Sequence, residues 1–311
     1  MRRQTQAYLY AGATILFWST VASAFKLTLD ELEFDELLFY SSLFSLILLT
    51  SICAASGRLR ELQSWPLADY GRSAILGFLN PFLYYLVVLK AYSLLPAQEA
   101  LTLNFIWPIV LVLFSIVVLR QPITLKTVLA MLVSFFGVVV ISTRGDVIGF
   151  RVTNVQGAAL AVGSSVVWAL YWVYGTKDSR DAVTRLFLNF VFGVAFVAAY
   201  MGFFSELRLP SFGGLIGSLY VGVFEMGLTY IVWLKALRLS QTTAQVSNLI
   251  YLTPFMSLLV VHFVVGEEIF TSTVVGLVLI VTGILIQHYW QRRASRYAGP
   301  GDGGDGRCGT G

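Results

Sequence analysis

Glu225 sits in the middle of an apolar stretch at about 212–236. If that stretch crosses a bilayer, the carboxylate lies near the midplane, where it costs about 2.5–3.5 kcal/mol on insertion scales. Two chemistries suit such a group. It can carry a coupling proton, or it can hold a ligand's ammonium. A neighbouring hydroxyl or amide can also satisfy it with no further role. Thr229 and Trp233 follow at spacings of four, so all three share one helical face. Asn80, Tyr84 and Tyr85 form a similar polar group earlier, beside the helix breaker Pro81. Asn104 and Trp107 are three apart. Gln241, Gln245, Asn248 and Tyr251 recur at spacings of 4, 3 and 3 and make one polar stripe. In a membrane helix such a stripe faces other helices or a cavity, not lipid.

Two prolines accompany these groups. Pro108 and Pro254 each interrupt a long apolar run. Proline removes an intrahelical hydrogen bond, and in hydrocarbon the freed carbonyl must face protein or a wet cavity. Aromatic residues crowd two further stretches: Trp18 in one, and Trp168, Tyr171, Trp172 and Tyr174 in the other. Trp18 and Trp168 are too deep for the interfacial belt and either wall a cavity or fill core. Lys26 lies near a stretch end and can snorkel. Lys90 and Lys235 close apolar runs and read as helix-end or gate residues. Glu99 is placed to pair with Lys90 across a turn. Glu267 and Glu268 read as solvated.

The elements that must position these residues are transmembrane helices. The 311 residues are 57% hydrophobic and only 12% charged, with mean hydropathy +0.76. Soluble domains carry about 25% charge, so a soluble enzyme is excluded. Ten stretches are long enough to cross about 30 Å of hydrocarbon: about 8–29, 36–56, 73–95, 97–119, 124–143, 154–176, 184–204, 212–236, 242–265 and 269–290. Short linkers leave no room for an inserted soluble domain. The Gly-rich end, 299–311, reads as a disordered tail. Cys53 and Cys308 form no disulfide framework.

With a cytoplasmic N-terminus, sixteen of the 21 basic residues fall on the inner side. Both termini are therefore expected in the cytoplasm of a multi-pass protein of the cell (inner) membrane. The acidic group Asp30, Glu31, Glu33, Asp35 and Glu36 makes an anionic outer rim. Arg2, Arg3 and the run to Ala22-Ser23-Ala24 imitate a signal peptide, but cleavage there would remove a helix that the repeat requires.

That repeat relates 8–143 to 154–290. Leu83–Ala91 aligns with Leu228–Ala236, six of nine positions being identical, Tyr and Lys among them. Pro108 falls on Pro254, Gly137 on Gly283, Trp18 on Trp168 and Asn80 on Glu225. Five spans per half is an odd number, so the second half must enter from the opposite side. The expected architecture is an all-α integral membrane protein of ten transmembrane helices in two inverted five-helix repeats. Inverted repeats are the plan of alternating-access carriers.

The sequence resembles the EamA family of the drug/metabolite transporter superfamily over about residues 8–290. The resemblance rests on FWST at 17–20, PAQEALTLNFIWPIVLVLFS at 96–115 and TTAQVSNLIYLTPFMSLLVVHFVVGEEI at 242–269. Arg120-Gln121-Pro122 stands where members usually carry a Gly-Glu pair. Asn104–Pro108 is similar to the matching stretch of an aromatic amino acid exporter of that superfamily. The resemblance implies a secondary transporter, and an exporter, of small metabolites such as amino acids or related amphipathic compounds. Expected partners are the lipid bilayer and a small-molecule substrate, with proton coupling through Glu225 or uncoupled export both compatible. A channel or scaffold, or an embedded enzyme, is the alternative. No P-loop, H-E-x-x-H or G-x-S-x-G stretch occurs, and no nucleic-acid face, metal or cofactor is expected. Gly213-x-x-x-Gly217 fits close helix packing or dimerisation.

Overall fold

The computed structural model describes residues 3–119, 125–149, 154–176, 178–205, 208–240 and 248–297, and every regular element among them is helical. Six helices are long and apolar enough to cross a membrane: Arg3–Leu29, Phe34–Ala55, Leu67–Leu94, Val155–Gly175, Ala182–Phe204 and Phe212–Leu239. Shorter apolar helices lie within 128–141, 249–265 and 271–286.

In chain order, α1 (Arg3–Leu29) and α2 (Phe34–Ala55) are followed by the short α3 (Leu59–Leu62). Next comes a stretch in three parts: α4 (Leu67–Gly77), a segment with π-type turns broken by a kink at Asn80 (Phe78–Leu83), and α5 (Tyr84–Leu94). Then follow α6 (Ala97–Asn104), α7 (Trp107–Leu119), α8 (Leu125–Ser142), α9 (Val155–Thr176) and α10 (Ala182–Phe204). A second three-part stretch joins α11 (Phe212–Tyr220), a π-helical segment (Val221–Leu228) and α12 (Thr229–Leu239). Asn248–Leu252 is a 3-10 turn leading to α13 (Thr253–Val260), a π turn (Val261–Val265) and α14 (Thr271–Tyr297).

The element boundaries have local causes. Glu33 and Glu36 form a capping box that starts α2. The Asp181 carboxylate accepts from the Val183 and Thr184 N–H groups at 3.1 and 3.0 Å, which starts α10. Pro108 has no N–H to offer the Asn104 carbonyl. The expected single helix at 97–119 is accordingly two helices, separated at Phe105 and Ile106. Pro254 likewise occupies the first turn of α13, where its missing N–H is tolerated. Both prolines therefore begin a half-helix and do not simply bend a continuous one.

Packing is reciprocal between the two halves. Helix α1 packs on α12 and α13, as α9 packs on α5 and α7. Helix α2 lies against the π segment 221–228 and α11, as α10 lies against the kinked segment 78–83 and α4. Helices α8 and α14 pack on each other along glycines: a Cβ on Gly137 would come within 2.6 Å of the Gly276 carbonyl, and one on Gly276 within 2.7 Å of the Gly137 carbonyl. Such small residues let backbones approach where lipid supplies no hydrophobic drive. Gly213 and Gly217 do the same inside the chain, facing Glu31 and Thr28.

The solvent preference is inverted relative to a soluble protein. Ser41, Ser42, Ser45, Ser164 and Asn189 are wholly buried, whereas Leu16, Phe203 and Phe263 are 60%, 84% and 80% exposed. Apolar side chains outward and hydroxyls inward is the arrangement a hydrocarbon solvent demands.

Candidate functional site

The functional side chains ride on helical stripes. Trp18, Val21, Ala22 and Phe25 stand at i, i+3, i+4 and i+7 on one face of α1. Tyr84, Val88 and Tyr92 repeat every fourth residue on α5. These faces, with α6, α7, α9 and α12, line an open cavity of about 540 Å³. Its wall includes Trp18, Tyr84, Asn104, Trp107, Pro108, Trp168 and Glu225, all singled out from the sequence. It also includes Trp172, Trp233 and Tyr251.

Two polar constellations organise the wall. Tyr85 donates its hydroxyl to Glu225 Oε1 at 3.0 Å, and the Trp18 indole is a second donor in reach of this carboxylate. Glu225 Oε2 is buried and makes no hydrogen bond among the described residues. Asn104 Nδ2 donates to Ser164 Oγ at 2.8 Å, while Asn104 Oδ1 accepts from the Tyr84 hydroxyl at 3.5 Å. The Asn104 amide thus ties the broken helix α6 to α9 and α5. Glu225 occupies a π-helical segment, a geometry frequent at functional positions, whereas the sequence-matched Asn80 has extended backbone (φ −150°, ψ 119°) at a kink between two helices.

The remaining surface is aromatic. Tyr84 and Trp168 lie with ring centroids 4.6 Å apart. Trp18 leans on Trp233 at 5.9 Å, and Trp168 meets Trp172 edge-on at 5.9 Å.

Several expectations need correction. Asn80 is fully buried away from the cavity, beside Tyr171 and Asn189. Its kinked segment carries Pro81, whose ring packs against Gly193 of α10. Thr229 does not reach the cavity either; its hydroxyl donates to the Phe224 carbonyl inside its own π turn. Pro254, expected as a helix-kink or gate residue, is buried in the first turn of α13, and its neighbour Thr253 lines the wall. Gln241 and Gln245 lie outside the described residues, as do the side chain of Asn248, the Arg120-Gln121-Pro122 turn and the tail 299–311. Phe25, Tyr92 and Leu101 were missed; the helical spacing from Trp18 and Tyr84 already placed the first two on the right face.

The lysines are held by aromatic rings and backbone carbonyls. Lys90 sits 4.5 Å above the Phe34 ring, and Lys235 sits 4.6 Å above the Tyr10 ring. Lys26 donates to the Tyr92 and Leu95 carbonyls at the end of α5. Glu99 pairs with Arg144 at 2.7 Å, not with Lys90. Glu267 is not free: it accepts from the Ala97 and Gln98 N–H groups, at 2.8 and 3.3 Å, and caps α6. These contacts fasten one end of the molecule.

The other end carries an ionic cluster in the α9–α10 loop. Asp178 grips Arg180, whose guanidinium also donates to the Asp69 carbonyl and to Ser73. Burial pushes the Asp178 carboxyl up, but the Arg180 hydrogen bonds outweigh it and hold it below its ordinary value. Asp181 is likewise held low: the Thr184 N–H and Arg58 overcome its desolvation.

Comparison with known proteins agrees with this architecture. The EamA-like transporter family matches residues 5–143 and again 155–287, one match in each half. An uncharacterized transporter of Clostridium kluyveri is 26% identical over 174 residues, 50% of this chain and 54% of that one. The chain thus spans about half the length of that relative. The uncharacterized transporter YvbV of Bacillus subtilis is 27% identical over 238 residues, covering 74% of this chain and 73% of its own. A crystal structure of a protein 22% identical has a TM-score of 0.63 over 94% of this chain and 99% of that chain, which shows the fold. With two family matches and an inside-out helical bundle, the chain belongs to the EamA-like transporter family as a multi-pass membrane protein.

Proposed function

We propose that this protein is a secondary transporter, an exporter of small amphipathic metabolites such as amino acids. It works by alternating access around the central cavity. Ten spans in two inverted five-helix repeats, with both termini cytoplasmic and the inner membrane as its home, complete the reading. The observation that carries it is the position of Glu225: a lone carboxylate on the wall of a cavity to which both halves contribute. The reciprocal packing of α1 with α12 and of α9 with α5 supports the inverted pair, because two matched seams can open in turn. The outer end is then the one fastened by Glu99, Arg144 and Glu267. Glu225 carries a proton or holds the substrate's ammonium, and the aromatic wall packs the apolar body. A ligand drives the exchange only by binding the two states differently.

The test is counterflow in proteoliposomes against a panel of amino acids and metabolites, with Glu225→Gln and Trp107→Ala beside wild type. Saturable exchange that both variants weaken is the expected result. Folded protein with no saturable exchange for any compound, or with ion-like conductance instead, would overturn the carrier reading.

A further inference from the structure

Within the amphipathic class proposed above, the geometry points away from zwitterionic amino acids and toward one cargo: a monocation with an aromatic or apolar body, bound through Glu225, in preference to a zwitterion or an anion. This rests on the carrier reading above. Three observations carry it.

First, the only charged side chain among the described residues lining the cavity is Glu225; no Lys, Arg or His lines it. Its Oε1 is engaged by Tyr85 and the Trp18 indole is within reach of the carboxylate, while the buried Oε2 has no hydrogen-bond partner among the described residues. A buried carboxylate with an open oxygen calls for a cation in the same space.

Second, every donor on the wall that could receive a ligand carboxylate is neutral, and two of them are engaged within the protein. The Asn104 amide gives its N–H to Ser164, and the Tyr84 hydroxyl gives its proton to Asn104. Trp172 Nε1 and Thr253 Oγ1 have no hydrogen-bond partner among the described residues, and both are neutral, as are the other indole and phenol donors of the wall. A zwitterion would therefore satisfy its ammonium and leave its carboxylate with no counter-charge.

Third, the wall is rich in aromatic side chains. Trp18, Tyr84, Trp107, Trp168 and Tyr251 line the same cavity as Glu225. Aromatic faces carry negative quadrupole density and attract cations, most strongly when water is excluded. A volume of about 540 Å³ is in the range of small-molecule sites and has room for a single-ring compound.

Three probes with one phenyl body and different charges test this directly: phenethylamine, phenylalanine and phenylpropionate. Their binding is measured by equilibrium dialysis on the full chain in detergent micelles. Partition into micelles is common to all protein variants and cancels in their comparison. The expected order is amine, then zwitterion, then anion, with the amine ahead of the anion by at least about tenfold. Glu225→Gln should abolish that preference and leave phenylpropionate binding within about twofold. Trp168→Leu should weaken the amine several-fold, and it serves as the second variant should Glu225→Gln not remain monodisperse. Equal affinities, tighter binding of the anion or zwitterion, no saturable amine binding, or an amine preference that survives Glu225→Gln would overturn the proposal. Panel counterflow separates the two readings. Saturable exchange of zwitterions without amine binding defeats the cation assignment and leaves the carrier. Amine binding without any exchange defeats the carrier and leaves the cation site.

Discussion

The Tyr85 hydroxyl meets the Glu225 carboxylate at 3.0 Å, joining α5 to the π segment 221–228 across 140 residues of sequence. Both groups are buried. A hydrogen bond to a charged acceptor is worth about 1.5–3 kcal/mol. Tyr85→Phe should leave Glu225 less well oriented. It should therefore raise the half-saturating substrate concentration in counterflow by about tenfold or more, while expression and monodispersity stay near wild type. Unchanged saturation in Tyr85→Phe would show that this contact does not position the carboxylate.

The Glu99–Arg144 pair predicts non-additive behaviour. Glu99 is 2% exposed at its side chain and Arg144 is 41% exposed. Removing the arginine strands a buried carboxylate, a cost below the ~3–5 kcal/mol seen for fully buried pairs because water reaches this one. Arg144→Ala should lower the melting temperature more than the double variant Glu99→Gln/Arg144→Ala does. Equal melting of the two would mean that the pair contributes nothing beyond its separate parts.

The α8–α14 seam tolerates no side chain. Gly276→Leu or Gly137→Leu would drive carbon atoms into the facing backbone. Overpacking of this kind typically costs about 1–3 kcal/mol. Both variants should melt earlier than Gly163→Ala, where an added Cβ meets nothing within 4 Å. Similar melting of all three would refute the close approach.

The Asp178 and Asp181 cluster sets a pH window. Both carboxyls are held below the ordinary value of 3.8 by their hydrogen-bonding and cationic partners, against the upward push of burial. A depressed carboxyl stabilises the folded state above its unfolded pKa, and the contribution is lost as pH falls through the folded value. The wild-type melting temperature should therefore carry this contribution undiminished at pH 6, and lose it only below pH ~4. Asp178→Asn should flatten that acid-side slope. A slope already complete at pH 5, or one unchanged in Asp178→Asn, would exclude this cluster as its source.

Much of the cavity was legible because helices repeat with a short period. Trp18, Tyr84, Asn104, Trp107, Trp168 and Glu225 all stand out by type and spacing, and all six line one wall. Asn80 and Thr229 stood out equally well but face elsewhere. Asn80 lies at a kink where its backbone is extended, and Thr229 follows a π segment whose wider turn rotates the residues after it, so spacing counted on a regular helix loses its register at both. The Glu99 pairing was misread for a different reason. Lys90 is near in sequence, but Arg144 is brought beside Glu99 only by the packing of α6 against α8.

The amino-acid order alone determined that the chain lives in lipid, that its two halves repeat, and that Glu225 is an isolated carboxylate in an apolar stretch. Those properties follow from composition, periodicity and local breakers, each of which acts within a few turns of helix. The partner of each buried polar group was decided by the tertiary structure. Tyr85, rather than Thr229 on its own helix, serves Glu225, and Ser164 serves Asn104. Hydrogen-bond satisfaction in a dry interior depends on which faces meet across the bundle, and that is set jointly by all the seams and not by any one stretch of sequence.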